Sequence, residues 1–151
     1  MKISHSVRNT NELLEHMYRN VQMGNESLCG VLPKIEGKFL MTNVTAQLER
    51  YADFTERTAA ELRKRRIRPV ELSGAKKAMA HMGIALNTLF DSSDRHIADM
   101  IEKGTRLGAE ELTGQLVRLT REGCDRTVAA LCDEIIAFER GEVCKMQEHI
   151  G

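Results

Sequence analysis

Apolar residues recur at alternating steps of three and four along most of this chain. The first run is Leu14, Met17, Val21, Gly24, Leu28, Val31 and Ile35. A second is Met41, Val44, Leu48, Tyr51, Thr55, Thr58 and Leu62. Two more, from Ile97 to Leu119 and from Val128 to Ile150, keep nearly the same beat. This spacing places one apolar stripe along each of four long helices, as a bundle seam requires. A shorter run, Leu72, Ala75, Met79, Met82, Leu86 and Leu89, predicts a fifth helix between the second and third of these.

Local signals set the expected boundaries. The cluster Asn9-Thr10-Asn11 supplies N-cap residues for the first helix. Pro33 ends or bends it, and Gly37 is expected to turn the chain through the left-handed conformation. The second helix closes on Arg63-Lys64-Arg65-Arg66, cations that complement the helix dipole. The short helix is expected over residues 71–90. Asp91-Ser92-Ser93-Asp94 then breaks the chain and caps a helix running to about Glu122, where Gly123 stops it. The last helix starts near Asp125.

Helices of nearly equal length joined by short turns at Gly37 and Gly123 make two antiparallel hairpins. The connection between them, residues 67–92, is itself helical and long enough to run most of the bundle's length. The expected fold is all-α: a ferritin-like four-helix bundle with one long helical crossover, five helices in total. A plain five-helix bundle is the alternative. No linker or low-complexity stretch divides residues 1–151, so a single domain is expected.

Composition narrows the functional classes. Lys+Arg and Asp+Glu are 22 each, so the net charge is zero, and aromatics are 4% with no Trp. Neither suits a nucleic-acid binder, and residues 63–68 are basic enough for a small patch that docks anions. No apolar run approaches the ~18 residues of a membrane span. The N-terminal residues carry no apolar signal core, so a cytoplasmic protein is expected. Cys29, Cys124, Cys132 and Cys144 form no C-x-x-C pair and read as small packing residues. No phosphate loop, dinucleotide fingerprint or nucleophile elbow is present.

The layout covers nearly the whole chain and resembles that of small bacterial ferritin-like proteins of unknown function. The stretches Tyr18-Arg19-Asn20-Val21-Gln22-Met23-Gly24 and Asp91-Ser92-Ser93-Asp94-Arg95-His96-Ile97-Ala98-Asp99-Met100 are similar to members of that kind. The resemblance implies a site for two irons, built from a carboxylate on each of four helices and two E-x-x-H motifs. This chain has no E-x-x-H. By helical geometry His16 and His81 fall on polar faces, and Glu26, Glu49 and Asp53 point outward. His96, Asp99 and Glu102 have ligand-like spacing but rotate around their helix, so a solvated face is expected.

Counting from the turns, the mid-bundle level is expected to hold Asn25, Gln47, Gly104 and Glu139. That set makes a polar layer which fixes register, with Glu111, Gln115 and Glu142 extending it on the second hairpin. Gly104 and Gly108 either let helices approach closely or leave a cavity. The sequence thus predicts a non-catalytic interaction or scaffolding protein with no cofactor, a homodimer through partner surface offered by the apolar residues Met79, Met82, Leu86 and Leu89 of the crossover helix. The alternative is a metal or redox protein holding iron, zinc or manganese on Glu139, Glu142 and Glu111, or on His96.

Overall fold

A computed structural model describes residues 4–89 and 91–151. Five helices form, α1 His5–Val31, α2 Lys38–Lys64, α3 Gly74–Asn87, α4 Asp94–Thr120 and α5 Arg126–Ile150, and the described residues contain no strand. Four starts are capped by a side-chain oxygen accepting from a backbone N–H: Ser4 from Val7, Ser73 from Lys76, Ser93 from His96 and Asp125 from Val128.

Several boundaries depart from the expected ones. Helix α1 starts at Ser4, ahead of the Asn9-Thr10-Asn11 cluster. Those residues tie α1 to the α4–α5 turn instead. Asn9 donates to the Gly123 carbonyl at 3.0 Å, and the Asp125 N–H donates to the Thr10 hydroxyl at 2.9 Å. Pro33 lies in a 3₁₀ turn, Leu32–Lys34, after α1. Gly37 is not left-handed; its φ is −84°. Its lack of a side chain matters because a Cβ there would sit 2.6 Å from the Asp94 carboxylate. That carboxylate accepts from the N–H groups of Glu36 (3.0 Å) and Gly37 (2.7 Å), an anion seated at the start of α2. The left-handed residues are Arg66, at φ 57°, and Gly123, at φ 106°. Helix α3 is shorter than expected at both ends; its last residue is Asn87, and the expected end at Phe90 lies outside the described residues. The break before Asp94 separates two helices.

The contacts place α1 against α2, α2 against α5, α5 against α4 and α4 against α1. The start of α4 is bonded to the α1–α2 turn, and the α4–α5 turn is bonded to the start of α1. Helices α2 and α4 therefore run the same way, and α3 returns the chain between them. One core draws on all five helices, with Leu14, Val44, Phe54, Ile97 and Ile135 fully enclosed. Among the described residues, no helix is long and apolar enough to cross a membrane.

Helix α3 packs chiefly on α1. Met79, Met82, Leu86 and Leu89, the apolar residues expected to offer partner surface, are 72%, 63%, 66% and 66% exposed. Ile84 and Thr88 are the buried residues of this segment, and Ile84 lies over Gly30. His81, expected on the polar face, sits on this inner side and bonds Glu26 of α1 at 2.7 Å. A helix seated on a single neighbour buries a strip narrower than its apolar stripe, and small residues decide which strip fits.

Candidate functional site

Midway along the bundle, α5 points a carboxylate inward. Glu139 is 2% exposed. The Tyr51 hydroxyl of α2 donates to its Oε2 at 2.7 Å, and the Asn20 amide of α1 donates to its Oε1 at 3.1 Å. The same Asn20 amide also donates to the Gly108 carbonyl of α4 at 3.1 Å. Four helices thus meet at one acid.

Glycines and rings set this geometry. A Cβ on Gly24 would lie 2.4 Å from Tyr51 Cζ, so the tyrosine lies across the bare backbone of α1. Phe138 meets the Tyr51 ring edge-on, centroids 5.1 Å apart, and restrains it from the other side. Gly108 admits Asn20 to the α4 backbone, whereas Gly104, one turn earlier, has open space where a Cβ would be. The sequence left two roles open for these glycines, close approach or empty space, and each takes one.

Burial raises the Glu139 carboxyl to about 7, and the donors Tyr51 and Asn20 pull back only part of that rise. The Tyr51 phenol is held well above its ordinary value, first by burial and then by the negative charge of Glu139. Glu139 is therefore neutral or charged near physiological pH, while Tyr51 stays a donor. Gln47 completes the level. It is 1% exposed, and neither of its side-chain polar atoms has a hydrogen-bond partner, although the amide lies near enough to favour the ionised form of Tyr51. The Asn20 Oδ1 is also enclosed without a partner.

This level is the end of a half-enclosed cavity of about 1030 Å³. Its walls come from α1, α3 and α4 and include Leu28, Ile84, Met100 and Ile101, with Gly104 along the floor. The mouth carries His16, Arg19, Lys76 and Glu111. Arg19 lies 3.2 Å from His16 Nδ1, and burial followed by that guanidinium lowers the His16 pKa.

The other expected residues are dispersed. Glu111 is exposed at the cavity mouth. Glu142 is buried one turn beyond Glu139; its Oε1 accepts from Lys145 at 3.2 Å and its Oε2 has no partner. His96 lies 2.7 Å from the Asn87 carbonyl through Nε2, so it ends α3 rather than joining Asp99 and Glu102. Asp99 pairs with Lys103 at 2.8 Å, and the buried Glu102 pairs with Arg106. Among the described residues, no three His, Cys, Asp or Glu side chains are grouped to hold a metal ion. Glu49 and Asp53 are exposed, as expected, but Glu26 faces α3 rather than water. Cys132 is buried, which raises its thiol to about 12 and keeps it from acting as a thiolate. In the basic segment, Arg65 pairs with Glu61 at 2.7 Å and with Asp125 at 3.5 Å.

The sequence pointed to Gln47 and Glu139 for this level, but also to Asn25 and Gly104. Asn20 and Gly108 are the residues at the acid. Tyr51 and Asn20, which bond the acid, lie four and five residues further from the Gly37 turn than Gln47 and Asn25, so the level sits about one helical turn deeper than the count of depth gave. Tyr51 was read as core alone. A tyrosine in a bundle seam carries its own signal, because a buried hydroxyl requires a partner. No family model, curated protein or solved structure matches this chain.

Proposed function

We propose that this chain is a non-catalytic binding protein on a ferritin-like bundle, whose mid-bundle level receives a small apolar molecule in place of two metal ions. The observation that carries this reading is the cavity of about 1030 Å³ ending on the Tyr51–Glu139–Asn20 cluster. Small-molecule sites are typically concave and apolar, with a few convergent polar groups and a perturbed titratable residue. The ferritin-like reading is supported by the two hairpins, the helical crossover and the parallel course of α2 and α4.

Binding should be visible with n-octanol as a simple apolar probe. It is expected to raise the melting temperature in a concentration-dependent way. Gly104→Phe fills the open floor and is expected to abolish that rise while leaving the protein folded, since a Cβ there meets nothing within 4 Å. An equal rise in wild type and Gly104→Phe would remove the cavity from the account.

A second reading concerns assembly. Met79, Met82, Leu86 and Leu89 repeat at coiled-coil spacing along α3 and are largely exposed, Met79 at the rim of the cavity and the other three away from it. An apolar stripe can pair with the same stripe on a second copy across a two-fold axis, which would bury all four side chains. Sedimentation equilibrium is expected to show a dimer, and the pair Met82→Lys with Leu86→Lys is expected to give monomers. A monomeric wild type at high protein concentration would end this reading.

A further inference from the structure

We infer that the cavity takes an apolar molecule ending in a protonated amine, with its ammonium seated on Glu139. This rests on the binding reading above and adds the class of ligand. The enclosed end is made mostly of acceptors. The Tyr51 hydroxyl and the Asn20 amide N–H are already committed to Glu139. What remains unpartnered is the Asn20 Oδ1 and the Gln47 Oε1, with the Gln47 Nε2 as the one spare donor among them. Each Glu139 oxygen takes one donor and keeps a further acceptor site.

An ammonium carries three donors and no acceptor, which matches a carboxylate flanked by two amide oxygens. A buried carboxylate with neutral neighbours is costly, and a cation placed against it offsets that cost. Among the described residues, the side chains that bond Glu139 are Tyr51 and Asn20, and neither is a cation. The compensating charge can therefore come from a ligand. A carboxylate head group would meet Glu139 with no cation beside it, since Arg19 and Lys76 belong to the mouth. The apolar body of the ligand then lies along Leu28, Ile84 and Ile101.

The test compares three probes with the same alkyl tail, n-octylamine, n-octanol and octanoate, by titration calorimetry on the full chain at pH 8. The amine is expected to bind about tenfold more tightly than the alcohol, the scale of a charge-assisted hydrogen bond, with octanoate weakest. Glu139→Gln is expected to bring the amine to the affinity that the alcohol shows for the same variant, and an unchanged far-ultraviolet dichroism reports that the variant is folded. Octanoate binding best, equal binding of amine and alcohol to the wild type, or an amine preference that survives Glu139→Gln would each overturn the ligand class but leave the cavity reading standing. Failure of all three probes to bind would overturn both.

Discussion

Glu139→Gln is expected to make the protein more stable by about 2 kcal/mol at pH 8 and to change it little at pH 5. Burial keeps the folded-state carboxyl at about 7, against 4.5 for the unfolded chain. Between those values the folded protein holds a proton that the unfolded chain has released. The stability tied to this group is therefore full below about 4.5, declines as pH rises through 7, and is flat above. At about 1.36 kcal/mol per unit, the loss at high pH is about 3 kcal/mol. Glutamine carries no charge and escapes it. Its amide can accept from Tyr51 or Asn20 but turns an N–H toward the other, a mismatch of about 1 kcal/mol. Urea unfolding at the two pH values measures the difference. A variant less stable than wild type at pH 8 would show that the carboxylate is better solvated than its burial implies. A ligand ammonium should reverse the ranking at pH 8, because it supplies the counter-charge that the free protein lacks.

Gly24→Leu should destabilise the protein by about 3 kcal/mol, the upper end for an overpacked core. The new Cβ would stand 2.4 Å from Tyr51 Cζ and 2.8 Å from its oxygen. The ring is 1% exposed, bonded to Glu139 and braced by Phe138, so it has nowhere to retreat without giving up the acid. Leucine is the better helix former by roughly 0.7 kcal/mol, so a loss cannot come from α1 itself. Gly114→Leu on α4 is the matched control; it is exposed, has nothing within 4 Å, and should be neutral or stabilising. Tyr18 and Tyr51 are the two tyrosines and there is no Trp, so a change in the near-ultraviolet dichroism of Gly24→Leu reports on the displaced ring. A variant as stable as the control would mean that Tyr51 is free to move.

The helices themselves could be read from the chain. Alternating steps of three and four gave all five, and the seams of α1, α2, α4 and α5 are largely the buried ones. The turns were found, yet their mechanism was not. Gly37 was expected to be left-handed and is instead held open for Asp94, a residue from another helix. The Asn9–Asn11 cluster resembles a cap but reaches the α4–α5 turn, because Ser4 already serves that role. These are contacts across the chain, and no local pattern encodes them. The crossover helix divides in the same way: its apolar residues at 79, 82, 86 and 89 are legible in the sequence and are exposed, whereas the strip that α1 accepts depends on Gly30 and Ile84 meeting.

The candidate site divides in the same way. Periodicity alone put Glu139 and Gln47 on inward faces, and that placement is a property of each helix taken singly. Which partners reach Glu139 was decided by how far each helix slides along its neighbours. The close seat of Tyr51 on Gly24 fixes α1 against α2 at the level of the acid, where Asn20 bonds both Glu139 and the Gly108 carbonyl. A helix fixes angles around its axis through its own hydrogen bonds, so the sequence by itself placed Glu139, Gln47 and most of each seam inward. Depth along the axis, the open space beside Gly104 and the desolvation that lifts the Glu139 carboxyl exist only once the helices pack, and only the tertiary structure decided them.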